Sequence, residues 1–192
     1  MRVLITNIAM SARTGTEIVT RDFAAGLTRR GHKVEIFTGG ESGPLAVELR
    51  RWGINVIGDA GQLARPDLIH VNHFEHAQPA LARFPDVPAV VQCHDATDTN
   101  SRLHATPAIR AWCAVSDACL KRVVRETGID SSRVAILPNY VDLRAAPELK
   151  RRNARPKRWL FVGEKPRSME LARTLRLLSL FHGARLRAFG PY

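Results

Sequence analysis

MRVLITNIAMSARTGTEIVTRDFAAGLTRR, residues 1–30, reads as a strand, a glycine turn and an amphipathic helix in direct succession. Val3, Leu4 and Ile5 form a short continuous apolar run, the pattern of a strand covered on both faces. Residues 9–15 then form a loop. Gly15, Thr16 and Glu17 open a helix, with Thr16 expected as N-cap and Glu17 in the first turn, where a carboxylate suits the helix dipole. Val19, Phe23 and Leu27 recur at i, i+4 and i+8 and predict one apolar stripe, and Gly31 stops the helix. A strand, a glycine turn and a helix N-terminus together make a place for an anion.

Outward from this unit the chain alternates. Further strands are predicted at Lys33–Phe37, Ile54–Ile57, Asp67–Val71, Ala89–Cys93, Trp112–Val115 and Val134–Leu137. Helices are predicted around Leu45, Leu49 and Trp52, over Phe74–Phe84 despite Pro79, and after Ser116, where Leu120, Val123, Val124 and Thr127 share a face. Strand and helix in alternation imply right-handed crossovers and a parallel sheet with helices on both faces, an α/β Rossmann-like architecture. Ligands in such sheets sit beyond the carboxyl ends of the strands. The residues expected on that rim are Asn7 to Gly15, Thr38 to Gly43, Asn72, His73, Glu75, His94, Asp95, Thr97, Ser116, Asp117 and Asn139.

Residues 144–157 are charged, contain Pro147 and Pro156 and lack an apolar period, so they read as a linker. A first domain over 1–143 precedes it. Residues 158–192 hold one strand–helix–strand unit, too small to bury a core of its own. Apolar residues make up 45% of the 192-residue chain, enough for a packed core, and no apolar run approaches a membrane span. The first apolar run is broken by Thr6 and Asn7, which argues against a secretory leader. The three cysteines (Cys93, Cys113 and Cys119) lack metal-ligand spacing and fit a reducing, cytoplasmic setting. His70, His73 and His76 are spaced like helix-face neighbours, but His70 belongs to a strand and no cysteine completes a set, so no metal is expected.

The net charge of +11 is unevenly placed. Residues 1–141 carry 16 Lys and Arg against 14 Asp and Glu, and residues 142–192 carry 13 against 4. No aromatic interleaving or groove-reading motif accompanies the basic tail, so a nucleic-acid partner is not expected. The tail is compatible with peripheral contact at the inner face of a membrane, or with a solvated face.

Six stretches, in order, carry a resemblance: the Gly15-Thr16-Glu17 helix ending in LTRRGHKVEIFT (27–38), RPDLIHVNH (65–73), VPAVVQCHD (87–95), AVSDACLKRVV (114–124), VAILPNYVD (134–142) and WLFVGEK (159–165). Together they resemble the retaining glycosyltransferases of family 4, which have the GT-B fold of two facing Rossmann-like domains. The resemblance implies transfer of a sugar from a nucleotide-sugar donor to a glycan or lipid-linked acceptor, without a metal or other cofactor. It implies that 1–143 is the acceptor-side domain and that 158–192 begins the donor domain. Gly15 resembles the family's loop glycine beside the donor diphosphate, although Thr14 stands where a second glycine is common. His94 resembles the histidine near the transferred sugar and is the expected catalytic residue. Ser116 resembles the serine of the family's Val-Ser motif. Donor or acceptor binding is thus expected of Gly15, Thr16, Asp95, Ser116, Asn139 and Lys165. Glu164 stands where the family usually has an arginine, and the paired glutamates of the donor domain have no counterpart before Tyr192. The expectation is a chain incomplete for catalysis: either a fragment of such an enzyme, or a half that works with a separate chain supplying the rest of the second domain.

Simpler roles exist for each residue. Gly15 suits a tight turn, Ser116 an N-cap and Asp95 a solvated turn. Two other function classes stay open: a non-catalytic glycan-binding or acceptor-binding module, and a nucleotide-dependent oxidoreductase. The first turn lacks the dinucleotide fingerprint, and Glu41 is the oxidoreductase's only support.

Overall fold

A computed structural model describes residues 1–39, 43–97, 102–140, 158–162, 169–181, 183 and 185–189. It divides into Met1–Arg144 and Ala145–Tyr192. The linker and the positions of Glu41, Glu164 and Lys165 lie outside the described residues.

The first unit runs β1 (Arg2–Asn7), α1 (Gly15–Arg29), β2 (Lys33–Thr38), α2 (Pro44–Arg51), β3 (Asn55–Ile57), β4 (Leu68–Val71), α3 (Phe74–Arg83), β5 (Ala89–Cys93), β6 (Ile109–Ala114), α4 (Asp117–Thr127) and β7 (Val134–Ile136). The seven strands form one sheet in the order β3-β2-β1-β4-β5-β6-β7, and every pairing is parallel. The α/β Rossmann-like class expected from the alternation is the one observed.

Side chains alternate across the sheet, so each central strand feeds two cores. Val3 and Ile5 join Val34, Ile36, Ala24, Leu45 and Leu49 on the face carrying α1 and α2. Leu4 joins Ile69, Val71, Val91, Trp112, Phe74, Ala77 and Val123 on the face carrying α3 and α4. A fully buried aliphatic side chain contributes about 1.5–3 kcal/mol. The unbroken Val3-Leu4-Ile5 run is the direct signature of this double coverage.

Some details depart from expectation. The apolar stripe of α1 is rotated: Thr20 and Ala24 are fully buried, whereas Phe23 and Leu27 pack only partly against the core. Small side chains let the helix approach the sheet closely, which a stripe of large apolar residues does not reveal. The N-cap of α1 is Thr14, not Thr16; Thr16 sits inside the first turn. Strand β6 starts at Ile109, because Ile109 and Ala111 pair with Ala89 and Val90 across an irregularity in the ladder. Helix α3 passes through Pro79 to Arg83.

The second unit holds β8 (Arg158–Val162), α5 (Met169–Leu178) and β9 (Arg185–Phe189). Its strands pair in parallel from Arg158 opposite Arg185 to Val162 opposite Phe189. The rings of Trp159 and Phe181 lie 5.3 Å apart. Leu160, Val162, Leu175, Leu177, Leu180 and Phe189 are more than half exposed.

Candidate functional site

The sheet changes direction between β1 and β4. From β1 the chain builds outward to β3, then returns to β4 on the other side of β1. The crevice beyond the carboxyl ends of β1, β4 and β5 is where such a sheet offers room for a ligand. Asn7, Asn72 and His94 stand at those strand ends.

A buried polar chain crosses this crevice. The Asn72 side-chain amide donates to Thr20 Oγ1 on α1 at 2.8 Å, and Asn72 Oδ1 lies 3.0 Å from His94 Nε2. Thr20 is fully buried, and Asn72 nearly so. The arrangement joins three elements, α1, β4 and β5, through one side chain. His94 Nδ1, Asn7 Oδ1 and Thr6 Oγ1 are buried without a hydrogen-bond partner among the described residues. Buried polar atoms left unpaired cost about 1–3 kcal/mol each, and in a crevice at strand ends they are what a ligand's hydroxyl groups would satisfy.

Burial and the neighbouring His73 push the His94 pKa down to about 4. Burial and His94 push His70 to about 4 as well, partly offset by a hydrogen bond with Gln92. Both imidazoles are therefore neutral at pH 7. His94 offers a hydrogen-bonding nitrogen and not a positive charge.

The loop before α1 is more fully occupied than its glycine suggests. One oxygen of Glu17 accepts the backbone N–H of Ser11 at 2.8 Å and of Ala12 at 3.1 Å; the other accepts the N–H and hydroxyl of Thr14, both at 3.0 Å. Burial pushes this carboxyl up, but the N–H groups of Thr14, Ala12 and Ser11 and the Thr14 hydroxyl more than offset it, and the pKa is lowered. The anion held by these loop amides is thus the protein's own. The far side of the loop is fixed by Met10, whose carbonyl accepts N–H groups from Gly43 and Ala46 at the start of α2. At Gly43 a Cβ would lie 2.4 Å from the Ser11 carbonyl oxygen, so only glycine fits. Gly15 is different: a Cβ there would meet nothing within 4 Å, and its φ is not positive. Among the described residues nothing requires glycine at 15, and the space beside its Cα is open.

The remaining expected residues fall as follows. Asp95 Oδ1 accepts from the N–H and hydroxyl of Thr97, and the Asp95 carbonyl accepts from Arg122 at 2.7 Å. Ser116 caps α4, its Oγ accepting the Cys119 N–H at 3.3 Å. Asn139 is exposed; its neighbour Tyr140 sits beside Gly26 on α1, and no hydrogen bond joins Asn139 to His94 among the described residues. Burial, with Cys119 beside it, pushes the Cys93 thiol up to about 12, so this thiol is a packing group. Three or more His, Cys, Asp or Glu placed to hold a metal do not occur among the described residues. Asn72 and His94 are the pair the structure brings together. Thr20 and the cradle around Glu17 were missed from sequence. A Thr14-x-x-Glu17 capping box was the signal for the second.

The model of glycosyltransferase family 4 matches residues 13–145, most of the first unit and of the whole chain. The chain belongs to glycosyltransferase family 4. No curated protein matches it by sequence. Among solved structures the family 4 chain is similar to the lipopolysaccharide outer core galactosyltransferase WaaB, with a TM-score of 0.67 and 12% identity, over 98% of this chain and 60% of that one. It is also similar to Anabaena HepE in complex with UDP-glucose, with a TM-score of 0.60 and 14% identity, over 100% and 70%. A glycosyltransferase from Rickettsia africae matches with a TM-score of 0.59 and 13% identity, over 100% and 68%. At these identities the matches establish the fold, and the family 4 chain spans about 60% of the length of WaaB.

Proposed function

We propose that this family 4 chain takes part in transferring a sugar from a nucleotide-sugar donor to a glycan or lipid-linked acceptor, with retained configuration and without a metal or other cofactor. The observation that carries the reading is the Thr20–Asn72–His94 chain at the switch point of a family 4 domain, with an unpaired His94 nitrogen left buried there. The HepE structures determined with UDP-glucose, and with UDP and glucose, support a uridine diphosphate sugar as the first donor to try.

In this reading residues 1–143 hold the acceptor, and His94 bonds a hydroxyl of the reacting sugar. Neutral histidine suits that task because it neither repels nor traps a departing phosphate. The N–H groups at the start of α1, above the open space at Gly15, stabilise negative charge as it develops on the leaving diphosphate. Lys165 is proposed to add a positive charge. A reducing, cytoplasmic setting at the inner membrane face belongs to the same proposal. No helix among the described residues is long and apolar enough to cross a membrane.

The test is ligand-observed NMR of the 192-residue chain against a panel of nucleotide sugars, with nucleotide release followed in the same samples. Binding with slow release supports the transferase reading. Silence from a folded sample leaves an acceptor-binding module.

A further inference from the structure

His94 has one ring proton to place. Its pKa of about 4 leaves the imidazole neutral at pH 7, so one nitrogen is an N–H and the other a bare lone pair. Which nitrogen carries the proton decides whether the ring offers a ligand a donor or an acceptor. The partner of the nitrogen already bonded makes that choice.

That partner is Asn72. Its Oδ1 stands 3.0 Å from His94 Nε2, and a carbonyl oxygen only accepts, so Nε2 carries the proton. The amide is oriented from its other side, where Nδ2 donates to Thr20 Oγ1 at 2.8 Å. Thr20 is fully buried and Asn72 nearly so, which keeps this bond within the protein. The backbone at Asn72 is tied as well, its N–H reaching the Thr6 carbonyl on β1 at 3.4 Å. His94 Nδ1 is then the nitrogen with the lone pair, buried without a partner among the described residues. Every member of this relay is neutral. An aspartate in place of Asn72 would also accept from Nε2, but its charge would favour the imidazolium. An asparagine orients the ring without drawing a second proton onto it.

We propose that Asn72 is a positioning residue: backed by Thr20, it locks His94 as the Nε2–H tautomer, so that Nδ1 is an acceptor that selects a sugar with a free hydroxyl where the two meet. The tautomer is independent of the transferase reading; the sugar hydroxyl rests on it. Selection follows from direction. A hydroxyl gives its proton to Nδ1. An ether oxygen or a fluorine in the same place sets lone pair against lone pair and leaves a buried acceptor unpaired. With the amide reversed, Thr20 would donate to Oδ1 and Nδ2 to His94 Nε2, and Nδ1 would be an N–H with the opposite preference.

Imidazole nitrogen NMR of the free, isotope-labelled full chain at pH 7 reads the tautomer directly. His94 Nε2 is expected at the shift of a protonated nitrogen and Nδ1 at that of a lone-pair nitrogen. Asn72→Asp keeps an oxygen beside Nε2 and is expected to keep this pattern. Asn72→Ala is expected to move both nitrogens to the averaged shifts of a mixed ring, with the amide spectrum of β1 and β2 unchanged. Should that variant fail to fold, the parent chain and Asn72→Asp still decide. A proton on Nδ1, a mixed ring in the parent chain, or Asn72→Ala with the parent's pattern overturns the proposal and leaves the transferase reading standing. Titration with UDP-glucose and its single-deoxy analogues then tests the selection. Nδ1 is expected to shift while Nε2 holds, and removing one particular hydroxyl is expected to abolish that shift and weaken binding about tenfold. Analogues that all shift Nδ1 as the parent sugar does overturn the selection. The expected tautomer in a folded chain that binds no nucleotide sugar overturns the transferase reading alone.

Discussion

Glu17 shapes the first loop by holding three backbone N–H groups and a hydroxyl on one carboxylate. Replacing it with alanine strands those donors in a mostly buried place, and a loss of about 2–3 kcal/mol in urea unfolding is expected. Because its folded pKa is lowered, its contribution is present above the unfolded carboxyl range and disappears as pH falls through the folded value. The histidines have the same sign for a different reason. His70 and His94 are held neutral, at about 4, below the unfolded value near 6.5, so the native state resists protonation. Stability is full above pH 6.5 and declines as pH falls towards 4. One such histidine accounts for up to about 3 kcal/mol across that window. His70→Gln is expected to flatten the fall in melting temperature between pH 6.5 and 4; an unchanged slope would contradict the assignment to His70. At this scale the sequence was half legible. His94 was visible from its position after a strand, but Asn72 was only one name on the rim, and a buried threonine inside α1 carries no local sign of its partner 52 residues away.

Elements are held in register by their ends. Ser116 caps α4, and Ser116→Ala is expected to cost about 1 kcal/mol, measured by chemical unfolding. Gly43→Ala is expected to cost more than the cap, about 1–3 kcal/mol, because its Cβ collides with the Ser11 backbone and pushes α2 off the first loop. If Gly43→Ala were as stable as the parent, the described packing of α2 on the loop would be wrong. The periodicities that placed the strands and helices were legible because each element has a buried side. What was not legible is which side is deepest. In α1 the closest approach belongs to Thr20 and Ala24, and hydrophobic periodicity cannot rank a methyl above a phenyl ring for nearness. The start of β6 was hidden for a related reason: Arg110 is exposed within a paired strand, so the apolar run seemed to begin later.

At the scale of the molecule, the seven-stranded sheet was legible as an alternation, because parallel strands need crossover helices. Its strand order, which creates the switch point, was not, since nothing local says which side of β1 receives β4. The face that carries α1 and α2 keeps an apolar cavity of about 230 Å³, lined by Phe23, Leu27, Leu68, Val90 and Cys113 among others. In the second unit the exposed Leu160, Val162, Leu177 and Leu180 form too little cover for one another. Concentration-dependent self-association in sedimentation is expected, and a clean monomer at high concentration would count against it. The most direct test of the account is amide and imidazole NMR of the labelled chain titrated with UDP-glucose. Saturable shifts centred on Gly15, Thr16, Asn72 and His94 are expected, with the His94 side-chain nitrogens changing most. A folded chain whose His94 and Asn72 signals stay still, or that binds the donor elsewhere, would contradict it.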